Sequence, residues 1–153
     1  MEVFISQSTD WILSEEAFMI YKQCMWNPTY ENYLVKVKKS FEDVHQKIYI
    51  CSLNGRYVGI ITLRITDSGT EITGIAVSNK YKNMGIGSYM IQQVIEKEKL
   101  HSIFAETDDD AVEFYRKNGF DINKKIKQYP DGNRIRYECI LTNGLIRGKG
   151  CNY

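Results

Sequence analysis

The sequence predicts an α/β fold: a mixed, mostly antiparallel sheet of about six to seven strands, flanked by about four helices, with a central parallel pair. Three observations carry this. Asn54-Gly55 stands between two β-rich runs, the strongest short-range hairpin signal. Glu71-Ile-Thr-Gly-Ile-Ala-Val77 is apolar on both faces, as a central strand is. A helical stripe over 85–99 then leads into a strand at His101–Glu106, and strand–helix–strand order of this kind makes a parallel pair.

Each element has its own reason. Glu2-Val-Phe-Ile-Ser6 reads as a short edge strand. Ser14 followed by Glu15 and Glu16 starts a helix, with an N-cap and acids in the first turn. Ala17, Phe18, Ile20, Tyr21 and Cys24 continue it, and Pro28-Thr29 breaks it. Tyr30 to Asp43 places Tyr30, Tyr33, Leu34, Val37 and Phe41 at helical spacing. Lys47–Leu53 and Arg56–Arg64 are the hairpin strands around Asn54-Gly55. Ile86, Met90, Ile91, Val94 and Ile95 line one side of the helix at 85–99. Asp108 to Asn118 reads as a short helix closed by Gly119. Phe120–Gln128 and Arg134–Leu141 form a last hairpin through Pro130-Asp-Gly-Asn133. No linker or repeat interrupts this order. One domain is expected over 1–142, followed by a Gly-rich, polar tail at 143–153 that frays.

Composition narrows the function. The 153 residues carry 20 Lys+Arg against 19 Asp+Glu, a net charge of +1, which argues against nucleic acid as the main partner. No run is long enough to span a bilayer, the N-terminus has no signal-peptide pattern, and a cytoplasmic protein is expected. Cys24, Cys51, Cys139 and Cys151 form no CxxC and, with only His45 and His101 beside them, no zinc spacing. They read as reduced thiols, and no metal is assigned. Asp108-Asp-Asp110 reads as acids complementing a helix dipole rather than as a metal site.

The segment from Val77 to Ser88 carries the chemistry. A buried strand ends, a polar loop follows, and Gly85 and Gly87 open a helix. First-turn amides have no intrahelical partner, and the helix dipole adds partial positive charge there. Without Cβ atoms, the backbone at these glycines can approach an anion closely. The loop is therefore a candidate pyrophosphate cradle. It is neither a Walker A loop nor a dinucleotide fingerprint, since no Gly-Lys-Ser/Thr follows and the third glycine position holds Met90. Tight helix–strand packing is the alternative reading of the same glycines.

Lys82-Asn83-Met84-Gly85-Ile86-Gly87 resembles the acetyl-CoA motif Arg/Gln-x-x-Gly-x-Gly/Ala of the GNAT superfamily of acyl-CoA N-acyltransferases. Glu71–Val77 looks like that family's fourth strand, and Ala111-Val-Glu-Phe-Tyr115-Arg-Lys-Asn-Gly-Phe120 matches its second motif, Ala-x-x-x-Tyr-x-x-x-Gly-Phe. The element order over 2–141 fits as well. Three positions depart: Lys82 replaces Arg or Gln, Asn83 replaces a common Gly, and Asp108 stands where many members carry Asn, so it cannot donate as an amide does.

The resemblance implies acetyl-CoA as cosubstrate and transfer of its acetyl group to a primary amine by direct attack in a ternary complex. A non-catalytic acyl-CoA sensor on the same fold is the alternative. It implies that strands 71–77 and 101–106 begin parallel and splay, with the pantetheine arm pairing along Ile75, Ala76 and Val77. Gly74 would mark a bulge, and an amide near Ile75 would polarise the thioester carbonyl. Lys82, Asn83, Met84, Gly85, Ile86, Gly87 and Ser88 would hold the diphosphate. Tyr115 would protonate the departing thiolate, and Glu71, placed at the mouth of the splay, would deprotonate the amine. Trp11, Trp26, Tyr30 and Tyr33 could form an aromatic wall for a small-molecule or peptide acceptor, and the last hairpin could pair edge to edge in a homodimer.

Overall fold

Seven strands form one sheet in the order β1-β2-β3-β4-β5-β7-β6. They are β1 (Glu2–Ile5), β2 (Gln46–Leu53), β3 (Arg56–Thr66), β4 (Gly69–Val77), β5 (Ser102–Thr107), β6 (Asp121–Tyr129) and β7 (Gly132–Thr142). Four α-helices accompany them: α1 (Glu15–Tyr21), α2 (Tyr30–Glu42), α3 (Ile86–Glu98) and α4 (Val112–Lys117). This computed structural model describes residues 1–142. The tail expected at 143–153, with Cys151, lies outside the described residues.

The hairpin signal holds in detail: Asn54 and Gly55 take φ of +51° and +80°, and β2 pairs antiparallel with β3 around them. β4 lies in the middle of the sheet, with β3 antiparallel on one side and β5 parallel on the other. Helix starts follow the capping chemistry. Ser14 accepts the Ala17 N–H at 3.1 Å and Thr29 accepts the Asn32 N–H at 3.0 Å.

Two expected helices are shorter than their patterns. The first ends at Tyr21, and a single 3-10 turn, Lys22–Cys24, finishes it. The helix expected from Asp108 begins only at Val112. There the Asp108 carboxylate accepts the Asp110 and Ala111 N–H groups, a local turn that competes with helix. Residues 6–13 hold two further 3-10 turns for which the sequence predicts no element. The second turn is held from a distance, because the Tyr33 hydroxyl donates to Ile12 O.

The sheet separates two cores. On one face α3 and α4 cover Ile61, Leu63, Ile72, Ile103, Ala105 and Cys139, with Met90 and Val94 fully buried among them. On the other, α1 and α2 cover Ile48, Ile50, Ile60 and Ala76, with Tyr21 and Tyr33 between. This layering places the start of α3 on one side of β4 and the turn after α1 on the other.

Candidate active site

β4 and β5 meet at one registered pair, Glu71 with Phe104, and diverge beyond it. The opposite edge of β4 stays laddered to β3. Ser78 N–H donates to Val58 O at 2.8 Å, and Ile60 faces Ala76 in the same register. In an antiparallel ladder such bonds fall on alternate residues. Gly74, Ala76 and Ser78 therefore turn their peptide groups to β3, while Ile75 and Val77 turn theirs into the gap. Ala76, expected among the donor contacts, turns its backbone to β3, and its side chain is buried in the α1–α2 core.

The bulge expected at Gly74 is present. The β3–β4 register shifts between Thr62 and Leu63, whose partners are Gly74 and Ile72, and Thr73 is the extra residue. A Cβ at Gly74 would lie 2.1 Å from the Tyr21 hydroxyl oxygen. That hydroxyl meets Thr62 Oγ1 at 2.7 Å, and Thr62 Oγ1 meets Thr73 Oγ1 at 2.8 Å. A buried tyrosine from α1 thus lies on the bulge and ties it to β3.

The loop before α3 is shaped by two left-handed residues. Asn83 and Gly85 take φ of +65° and +80°, and Gly85 serves as N-cap of α3 without a side-chain cap. A Cβ at Gly85 would meet nothing within 4 Å, so the approach to the helix end is open. The first α3 bond here runs from Tyr89 N–H to Gly85 O, which leaves the amides of Ile86, Gly87 and Ser88 unpaired by the helix. Lys82, Asn83, Met84 and Gly85 are exposed, whereas the Ile86 side chain is core. Gly87 answers to packing as well: a Cβ there would lie 2.9 Å from the Phe114 ring.

Tyr115 is buried between Phe114 and Phe120, each ring at 5.1 Å in edge-on geometry. Burial raises its pKa, with the nearby Cys139 and Cys24 thiols adding to the effect. The phenol therefore holds its proton through the physiological range. Glu71, expected at the mouth of the splay, lies at its closed end instead, because the parallel contact forms at that residue. Four residues of strand put it about 13 Å from Ile75. Of the expected aromatic wall, Tyr33 is core, Trp11 packs on Tyr57 at 4.8 Å, and only Trp26 projects into solvent, at 90% exposure.

Two residues that the sequence does not single out reach the gap. Gln23 Nε2 donates to Val77 O at 3.0 Å. The Cys24 sulfur faces the Ile75 N–H and the Tyr21 hydroxyl, and its thiol also donates to Tyr21 O. Cys24 is exposed as a residue, yet desolvation of the sulfur pushes its pKa up to about 11, against the pull of the Ile75 amide and Tyr21. No local signal announces either residue, since both lie more than 50 positions from the residues they approach, Val77 and Ile75.

On the far arm of the gap, Glu106 of β5 binds Lys127 at 2.5 Å and Arg136 at 3.2 Å. Burial raises its pKa, but these two cations outweigh it and hold the carboxyl below the usual range. Among the described residues, no cluster of three His, Cys, Asp or Glu side chains is arranged to hold a metal ion, and no helix is long and apolar enough to cross a membrane.

A strand edge left unpaired beside an uncapped, glycine-led helix offers backbone groups to an elongated, anionic ligand. Comparison with known proteins gives the class its name. Residues 8–120 match the family model of the acetyltransferase (GNAT) family, and the chain belongs to that family. No curated protein sequence matches it. Solved structures share the fold. A GNAT family acetyltransferase from Elizabethkingia anophelis with acetyl-CoA bound is 20% identical, with coverage of 92% and 97% of the two chains and a TM-score of 0.67. A ribosomal-protein alanine N-acetyltransferase from Escherichia coli is 18% identical over 92% and 94%, with a TM-score of 0.67. A variant spermidine N-acetyltransferase from Vibrio cholerae is 11% identical over 99% and 98%, with a TM-score of 0.72.

Proposed function

We propose that this acetyltransferase takes acetyl-CoA as donor and passes the acetyl group to a primary amine by direct attack in a ternary complex. The observation that carries the reading is the free edge of β4, where Ile75 and Val77 turn their peptide groups into the gap, together with the uncapped start of α3. A diphosphate would accept from the amides of Ile86, Gly87 and Ser88, with Lys82 adding charge. The pantetheine arm would add to β4 as a strand does. The Ile75 N–H would then face the thioester carbonyl and stabilise the charge that develops on it.

Tyr115 supplies the proton to the departing sulfur. Its raised pKa keeps it protonated until negative charge builds on the leaving group. Glu71 removes the ammonium proton through intervening water, since its place at the closed end keeps it from direct contact with an amine at Ile75. The acceptor approaches from the α1–α2 face; the crevice there at Tyr21, Thr62 and Thr73 holds only about 10 Å³, room for one water, so the amine enters as that face opens. The relatives named for spermidine and for a protein alanine suggest the range of amines to try.

The test is a thiol-release assay of the purified chain with acetyl-CoA across polyamines, amino acids and peptide N-termini. Release must depend on the amine; release indifferent to every acceptor contradicts transfer. Tyr115→Phe should lower turnover by about 10²- to 10⁴-fold with CoA affinity nearly unchanged. An unaltered rate removes Tyr115 from the acid role.

A further inference from the structure

The edge of β4 is free of any neighbouring strand at the gap, but side chains approach it. Val77 C=O accepts from Gln23 Nε2 at 3.0 Å, and the Cys24 sulfur lies near the Ile75 N–H while its thiol donates to Tyr21 O. Both side chains come from one 3-10 turn, Lys22–Cys24, which closes α1. Their chemistry resembles that of the ligand they precede. A primary amide on a flexible stem donates to Val77 O, as a pantetheine amide would, and a sulfur lies near the Ile75 amide where the thioester would end. The turn is placed there by rigid parts. Tyr21, immediately before it, is buried and bonded to Thr62, and Gly74 has no side chain so that the Tyr21 ring can lie on the bulge.

We infer that Gln23 and Cys24 are stand-ins for the donor arm and determine donor affinity: the Lys22–Cys24 turn ligates the free edge of β4 and must leave it before the pantetheine can pair there. The inference rests on the proposed donor site. It adds a competing intramolecular ligand to it. Apparent donor affinity is then reduced by the fraction of molecules whose edge is released. The energetic demand is small, since Gln23 is exposed and its bond to a carbonyl is a neutral one. The same release moves the turn on the α1–α2 face, so the amine meets a rearranged wall once the donor is bound.

Calorimetry on the intact chain tests this with two probes: CoA, and ADP, which carries the diphosphate but no pantetheine. Gln23→Met keeps the length of the side chain and removes the donor. It should bind CoA roughly two- to tenfold more tightly than the parent, with ADP affinity unchanged. Cys24→Ala should shift CoA affinity in the same direction. Unchanged or weaker CoA binding by Gln23→Met overturns the inference, and so does an equal gain for CoA and ADP, which would reflect a general change in the fold. Failure of the parent chain itself to bind CoA is a different result; it removes the donor site and not merely the competitor.

Discussion

Gly74→Ala is the substitution on which most of the site geometry converges. The new Cβ would lie 2.1 Å from the Tyr21 hydroxyl oxygen, 2.7 Å from its Cζ and 2.9 Å from Cε1. Tyr21 cannot swing aside freely: it is 2% exposed, it is bonded to Thr62, and its ring packs 6.0 Å from that of Tyr33. Overpacking of this kind costs about 1–3 kcal/mol, and breaking the Tyr21–Thr62 bond adds about 1 kcal/mol. For a chain of this size the sum lowers Tm by roughly 5–15 °C. The second effect is catalytic, because the bulge that Tyr21 holds also aims the adjacent Ile75 amide. Adding Tyr21→Phe removes the nearest oxygen but leaves Cζ, so the double variant should regain part of the loss. Thermal melts of the parent, both single variants and the double variant give the coupling. Additive losses with no recovery, or a Gly74→Ala protein that melts and turns over like the parent, would refute the contact as the reason for this glycine.

Three further outcomes follow from the same geometry. Gly85→Ala meets no neighbour, so its cost is the left-handed backbone alone, about 1–2 kcal/mol by thermal melt, together with weaker CoA binding by calorimetry. Glu71→Gln should depress turnover most at pH values below the acceptor's amine pKa; a rate profile parallel to the parent's makes Glu71 structural. Glu106 is held below the usual carboxylate range by Lys127 and Arg136, so it stabilises the fold above about pH 4.3 and loses that contribution as pH falls through its folded value. The stability gap between the parent and Glu106→Gln, read by urea melts, should therefore close on acidification below about pH 4. A gap that widens there contradicts the ion pairs.

What could be read from the chain directly was local. The Asn54-Gly55 hairpin, the cap at Ser14, the glycines that open α3 and the stripe along it depend on neighbours within a turn or two, and their physics is present in any short window. The order of strands and helices then implied the parallel pair, because a crossover helix leaves few alternatives. Even at this level the ends slipped. Asp108 has the composition of a helix start, yet its carboxylate found backbone amides two and three residues on and formed a turn.

Gly74 shows the boundary between the two kinds of information. Its presence inside a buried strand signals a bulge or a close approach, but only the folded chain identifies Tyr21 as the visitor. The position of Glu71 at the closed end depends on where β5 first touches β4, a register no local pattern encodes. Gln23 and Cys24 reach Val77 and Ile75 across more than 50 residues of chain, because α1 is laid on the sheet by apolar burial along its whole face. Hydrophobic packing is non-directional, so composition can say that α1 will be buried. Which two side chains its last turn then presents to β4 is decided by the angle and register at which the packed surfaces interlock.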